Sequence, residues 1–256
     1  MRDYPVMAAE TNRVEPAPRR VRGFVGGRAL FDTTRAVYVW EFPFYPQYGI
    51  PWSDVDASLL HDEQRTQSTR RGTVAVYGIR SGDVERPGTI RRYVEPSVDG
   101  LDDIVRFDWA ALDAWYEEDE QVFVHPRNPY VRVDALRSTR HVRVELDGVV
   151  LADTTSPVLL FETGLPTRYY VNRTDVDFSA LTPTDSVTEC PYKGRTSGYW
   201  TATVNGELYD DIAWAYDFPT PAVHAIAGMV AFYNERVDLT VDGQLLERPI
   251  NPRAGH

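Results

Sequence analysis

Displaced by 121 residues, the chain meets itself. GRALFDTTRAVYVWEFPF, from Gly27, lies over GVVLADTTSPVLLFETGL, from Gly148. Asp32-Thr33-Thr34 falls on Asp153-Thr154-Thr155, Glu41 on Glu162 and Tyr48 on Tyr169. Asp54-Val55-Asp56 falls on Asp175-Val176-Asp177 and Leu60 on Leu181, with no gap across the window. Such a match marks a duplication of one folding unit; with only two copies it is not a solenoid. The spacing places a first repeat over residues 20–134 and a second over 140–248. Residues 1–19 and 249–256 read as loose tails. The first copy diverges after Leu60 and is the degenerate one.

Within each copy the pattern is mainly β. HVRVELDGVVLADT alternates apolar and polar residues around Asp147-Gly148, a two-residue hairpin signal. PVLLFE reads as a buried strand, and GYWTATVNGELYDDIAWAY alternates around a second hairpin dipeptide, Asn205-Gly206. Each copy closes on one short helical pattern followed by a strand: FDWAALDAWYEED before QVFVHPR, and PAVHAIAGMVAFYN before RVDLTVDG. Asp108 is placed to cap the first of these helices. Residues 61–100 are polar and arginine-rich and read as loop.

Composition narrows the function. Apolar residues at 43% and charged residues at 25% describe an ordinary globular chain. A net charge of −11 argues against a nucleic-acid partner, because phosphate-backbone binding needs a cationic surface. No apolar run reaches the roughly 18–20 residues of a membrane span. MRDYPVMAAETNRVEPAPRR lacks the apolar core of a secretory signal, so a cytoplasmic location is expected. The single cysteine, Cys190, allows no internal disulfide and no multi-cysteine zinc site. GxGxxG, P-loop, GxSxG and HExxH patterns are absent from the sequence.

Cys190 stands three residues before the single lysine, Lys193, in a chain whose other basic residues are all arginine. Arginine is always charged and forked, whereas lysine is a compact ammonium that can lose its proton when buried. Lys193 is therefore the first candidate for a base, nucleophile or anion clamp, and Cys190 beside it for an activated thiol. The alternative is a structural lysine on a turn that a guanidinium does not fit. Pro191 and Gly194 shape that turn.

Tyr199, Trp200, Trp214 and Tyr216 are candidates for a ligand-lining wall. Strand alternation puts Trp214 and Tyr216 on one face, and sends Tyr199 and Trp200 to opposite faces. Tyr169 is drawn in by its match to Tyr48. Glu162 ends a buried run and needs a counter-charge or hydrogen bonds, from Lys193, from Arg168 or from a ligand. Glu117-Glu118-Asp119-Glu120, with His125 nearby, sits at the end of the first helical pattern, where four acids oppose the helix dipole. Arg127, Arg132 or the arginine-rich stretch is the expected compensation, and a metal site using His125 is the alternative.

The second copy resembles the domain-of-unknown-function family 427 over nearly its full length. The resemblance is carried by Val142-Arg143-Val144, Asp147-Gly148, Ala152-Asp153, Phe161-Glu162, Leu165-Pro166, Tyr169-Tyr170 and Asp175-Val176-Asp177. It continues through Thr188, Cys190-Pro191-Tyr192-Lys193-Gly194, Tyr199-Trp200, Ala213-Trp214, Tyr216, Pro219, Ala227-Gly228, Ala231-Phe232-Tyr233 and Val241-Asp242-Gly243. The first copy fits weakly, although Trp115 to Arg127 resembles the segment joining tandem copies in actinobacterial members. The resemblance implies a β-tent, the Mss4-like two-sheet fold shared with methionine sulfoxide reductase B and the drug-binding domain of cereblon. It also implies a catalogued nucleotidyltransferase activity. Under that activity, Asp175 and Asp177 on one face of a strand would hold Mg²⁺. Asp177, standing before FSAL, also reads as a helix or turn cap.

Three functions follow. The first is a small-molecule-binding or enzymatic domain with a pocket in the second repeat, built from Lys193, Glu162, Arg168 and the aromatics, with no cofactor. The second is a nucleotidyltransferase using Asp175, Asp177 and Mg²⁺. The third is a non-catalytic module whose acidic surface meets a protein partner. The sequence leaves the oligomeric state open.

Overall fold

The computed structural model describes residues 8–250. The chain divides into two units, Ala8–Asn128 and the residues from Pro129 onward. Both are mainly β with open sheets. The first holds β1 (Val14–Pro16), β2 (Val21–Val25), β3 (Arg28–Thr33), β4 (Val37–Val39), β5 (Gln47–Pro51) and β6 (Leu60–Thr69). It continues with β7 (Gly72–Ser81), β8 (Val84–Pro96), β9 (Ile104–Phe107), β10 (Ala114–Glu117) and β11 (Glu120–Val122). The second holds β12 (Val133–Arg137), β13 (Val142–Leu146), β14 (Val149–Thr154), β15 (Val158–Glu162), β16 (Arg168–Val171) and β17 (Leu181–Thr184). After these come β18 (Glu189–Cys190), β19 (Gly194–Arg195), β20 (Gly198–Val204), β21 (Glu207–Ala215), β22 (Val230–Phe232), β23 (Asp238–Val241) and β24 (Gln244–Leu245).

The two units repeat one topology. A seven-stranded antiparallel sheet runs β1-β4-β5-β9-β8-β7-β6 in the first and β12-β15-β16-β22-β21-β20-β17 in the second. A four-stranded sheet runs β11-β10-β2-β3 in the first and β24-β23-β13-β14 in the second. The second unit adds the small β18-β19 ladder. Agreement extends to single residues. Val37 faces Gly49 as Val158 faces Tyr170, and a bulge follows Gly23 as one follows Val144. Thr33 donates to Asp54 as Thr154 donates to Asp175, at 2.5 and 2.6 Å. The turns at Asp147-Gly148 and Asn205-Gly206 take positive φ at both residues, as a two-residue hairpin with right-twisted strands requires.

Each seven-stranded sheet uses both faces. In the second unit one face meets the four-stranded sheet through Val142, Val144, Val171, Trp200, Ile212 and Leu239. The other face carries Val158, Leu160, Tyr170, Tyr199, Trp214 and Tyr216, under Val223, Ile226 and Met229. The first unit has the same division, with Val39, Val74, Tyr93, Leu101 and Ile104 on its outer face.

Five expectations change. Residues 61–100 are not loop but the three long strands β6, β7 and β8; β6 is an edge strand exposed along most of its length, so its sequence is polar. The closing helices shrink to 3₁₀ turns, Trp109–Ala111 and Pro221–Ile226, because Ala114–Glu117 pairs with β2 instead of continuing a helix. Asp108 makes no side-chain cap there and instead accepts from Arg91 at 2.5 Å. The acidic run Glu117 to Glu120 lies on the β10–β11 hairpin, so no helix dipole opposes it. Glu117 is buried and takes hydrogen bonds from Tyr48, Arg19 and Arg127 at 2.5, 2.5 and 3.4 Å. Finally, the repeats begin earlier than drawn: Val14–Pro16, placed in a tail, is an edge strand of the first, and Val133–Arg137 belongs to the second. Residues 1–7 and 251–256 of the two proposed tails lie outside the described residues.

Candidate functional site

The outer face of the second sheet collects most of the candidate residues. Val158, Leu160 and Glu162 alternate along β15 with their side chains on that face. The carboxylate of Glu162 therefore ends an apolar row, 3% exposed. A buried carboxylate needs a partner, and Lys193 supplies it from the turn between β18 and β19: Nζ donates to Oε2 at 2.5 Å. Lys193 is itself only 13% exposed. Its backbone is fixed from the opposite strand end, where Thr220 donates its amide to the Lys193 carbonyl at 3.1 Å and its hydroxyl to the Tyr192 carbonyl at 2.5 Å. Gly194 follows at φ +94°, a conformation side chains rarely adopt, and this lets the turn close directly after the lysine.

Burial alone would push the Lys193 ammonium toward neutrality, but its electrostatic coupling to Cys190 and Glu162 reverses it. Its pKa stands well above the ordinary 10.5. The phenols around it are held protonated. Burial lifts Tyr170 to about 12, with Lys193 opposing, and lifts Tyr216 further. Around Lys193, therefore, sit a fixed positive charge and phenolic O–H groups. Of the three ammonium donors, one is given to Glu162.

A second arm adjoins it. Arg168 makes a fork to Glu235 at 2.5 and 2.6 Å, bonds Asn234, and stacks 5.6 Å from the Trp214 ring and 5.7 Å from the Tyr233 ring. Trp214 donates to the Tyr170 hydroxyl at 3.2 Å. Tyr199 shares hydrogen bonds with Thr188 at 2.8 Å and Tyr233 at 3.3 Å. Glu162 is thus the partner of Lys193, and Glu235 that of Arg168.

The structure brings together Lys193, Cys190, Glu162, Arg168, Tyr199, Trp214 and Tyr216. It does not bring Trp200 or Tyr169 with them. Both lie on the inter-sheet side, Trp200 packed on Phe178 with Arg173 over its ring. Tyr170, not Tyr169, faces Lys193. The repeat drew attention to Tyr169, whereas the alternation Arg168, Tyr170 along β16 carried the signal for the other. Asn234 and Glu235 carry no signal in the sequence, and Tyr233 enters it only through the family resemblance, because their place at the site depends on the β21–β22 pairing.

Asp175 and Asp177 are not on a strand. Asp175 closes the 3₁₀ turn Arg173–Asp175 and accepts from Thr154 at 2.6 Å, while Asp177 caps the next turn through the Ser179 amide at 2.9 Å. Asp54 and Asp56 do the same in the first repeat. Among the described residues, no three His, Cys, Asp or Glu side chains assemble into a metal-holding group. Near the acidic hairpin, His125 stacks on Tyr45 at 4.0 Å.

With this geometry and the doubled topology, the sequence can be placed. The chain belongs to the family described as Domain of unknown function (DUF427), whose model matches residues 13–118 and again 134–243. No curated protein matches the chain. Among the described residues, no helix is long and apolar enough to cross a membrane.

Proposed function

We propose that the second repeat binds a small molecule through a hydrogen-bond acceptor, a carbonyl or carboxylate oxygen, held by Lys193 and Tyr216. Tyr170, Tyr199, Trp214 and Tyr233 supply the apolar and aromatic surround. The observation that carries this reading is a charged, largely buried ammonium set among protonated phenols, with a single carboxylate hydrogen-bonded to it. A lysine acting as nucleophile or base must shed its proton. Lys193 is held in the charged form, so its chemistry is that of a fixed positive anchor. Glu162 orients it, and Arg168, already forked to Glu235, stiffens the aromatic wall. The engagement of Asp175 by the Thr154 hydroxyl and of Asp177 in the Ser179 cap favours this reading over Mg²⁺-nucleotide chemistry.

The test is a thermal-shift panel of small carboxylates, sugar phosphates, and nucleotides with and without Mg²⁺. Wild type is compared with Tyr216→Phe, which removes one donor and leaves the ion pair intact. A ligand present at 100 times its Kd adds about 2.7 kcal/mol of stability. The expected result is a metal-independent shift from a carboxylate or carbonyl compound that weakens about tenfold or more in the variant, as losing one buried hydrogen bond to a charged ligand does. A shift that requires nucleotide plus Mg²⁺ and is equal in both proteins would transfer the function to the nucleotidyltransferase class.

A further inference from the structure

The strand registers align the two outer faces residue by residue, and the first repeat proves not to be an empty copy. Val158, Tyr170 and Glu162 correspond to Val37, Gly49 and Glu41. In the second repeat Trp214 pairs with Ala231; in the first, the equivalent pair is Arg91 and Arg106. Counting outward from those pairs, Tyr216 corresponds to Tyr93 and Tyr199 to Val76. The carboxylate and one phenol are kept. The tyrosine, the tryptophan and the alanine have become glycine, arginine and arginine.

Glu41 has recruited new cations in place of a lysine. Arg106 forks onto it at 3.0 and 3.1 Å, and Arg71, from the turn before β7, lies 4.0 Å from the same carboxylate. Arg91 and Arg106 face each other directly across the ladder, an arrangement that like charges disfavour. The carboxylates hydrogen-bonded to this cluster among the described residues are Glu41, on Arg106, and Asp108, on Arg91 at 2.5 Å. Three guanidiniums thus stand against two carboxylates. The excess charge falls on Arg71: its Nη2 reaches the Glu41 backbone carbonyl at 3.2 Å, and its buried Nε–H has no partner among the described residues. A buried donor left unpaired is a standing cost, and a guanidinium edge is matched by two oxygens of one oxyanion.

We infer that the first repeat carries its own oxyanion site, of the phosphate type, formed by Arg71 with Arg91 and Arg106 beside Tyr93. The duplicated frame would then present two different chemistries, a neutral lysine–glutamate pair among aromatics and a cationic arginine cluster. The inference rests on residues separate from those of the second-repeat site.

Inorganic phosphate is the minimal probe, titrated calorimetrically into the full chain at constant ionic strength. Saturable binding is expected, weakened about tenfold or more in Arg71→Gln and in Arg91→Gln, and unchanged in Tyr216→Phe. Arg71→Lys keeps the charge beside Glu41 but not the fork, so it reads the same loss if the glutamine variant does not fold. Absence of saturable phosphate binding by the wild type overturns the site. So does an affinity that ignores both Arg71 variants or that falls with Tyr216→Phe. The carboxylate panel with Tyr216→Phe stands or falls separately.

Discussion

Replacing Lys193 by methionine keeps the stem's volume and removes only the ammonium. It leaves the Glu162 carboxylate 3% exposed at the end of an apolar row, with its 2.5 Å partner gone. Removing one member of a buried ion pair costs about 3–5 kcal/mol, chiefly because the remaining charge is uncompensated. At roughly 3 °C per kcal/mol for a unit of this size, the thermal midpoint of the second repeat should fall by about 10 °C. Pairing Lys193→Met with Glu162→Leu removes both charges, and such a swap is often close to neutral. The double variant should therefore recover most of the loss, giving a coupling energy of about 2 kcal/mol or more in a urea-denaturation cycle. A loss under about 1 kcal/mol in Lys193→Met, the size seen for exposed pairs, would refute the reasoning. It would mean that water reaches Glu162 and that the pair is not the fixed anchor described above.

Three further outcomes follow. Because the folded pKa of Lys193 is raised, its contribution is whole below the ordinary value of 10.5 and is lost as pH climbs through the higher folded value. The urea-midpoint gap between wild type and Lys193→Met should thus hold steady to about pH 10 and narrow only above it; a gap closing between about pH 7 and 9 contradicts the assigned direction. Gly49→Ala should destabilise the first repeat by roughly 1–3 kcal/mol, since the added carbon would meet Ile104 and Val37 methyls at 2.6 and 2.8 Å; a neutral effect by chemical denaturation would show that this face gives way. Asp177→Ala should cost about 1 kcal/mol through loss of the Ser179 cap, equally with and without Mg²⁺, and a Mg²⁺-dependent difference would restore that aspartate to a metal role.

Duplication makes much of the fold legible in the sequence itself. The hairpins at Asp147-Gly148 and Asn205-Gly206 were readable because a tight turn with positive φ leaves a dipeptide signature. Alternation correctly sent Tyr199 and Trp200 to opposite faces, and the isolated Lys193 pointed to the buried pair with Glu162. What was hidden depended on distant pairing. FDWAALDAWYEED has helix-like spacing of Leu112 and Trp115, yet β2 claims Ala114–Glu117 as a strand. LHDEQRTQST looks like a loop because an edge strand exposed along its length has little apolar alternation. Arg168 found Glu235, and Trp214 found Tyr170, only through pairings across β16, β22 and β21 that no local pattern encodes. Of the two readings of Asp-x-Asp, the turn cap at Asp177 matches the structure, whereas the strand does not, because Val176 forms only an isolated bridge to Ala152 between two turns.

Each large sheet divides its alternate residues between two separate tasks. One set meets the four-stranded sheet and keeps its register between the repeats, with Tyr48, Ile50, Val105 and Phe107 answering to Tyr169, Val171, Val230 and Phe232. The other faces outward, and there glycine stands for tyrosine and arginine for tryptophan. Substitutions can accumulate on the second set without shifting the first, so the chemistry of the outer face can change while the scaffold keeps its register. The same arrangement sets a limit on insertions. One residue added within β8 or β21 would exchange the two sets and lose scaffold and site together, whereas additions at the strand-end turns leave both in phase.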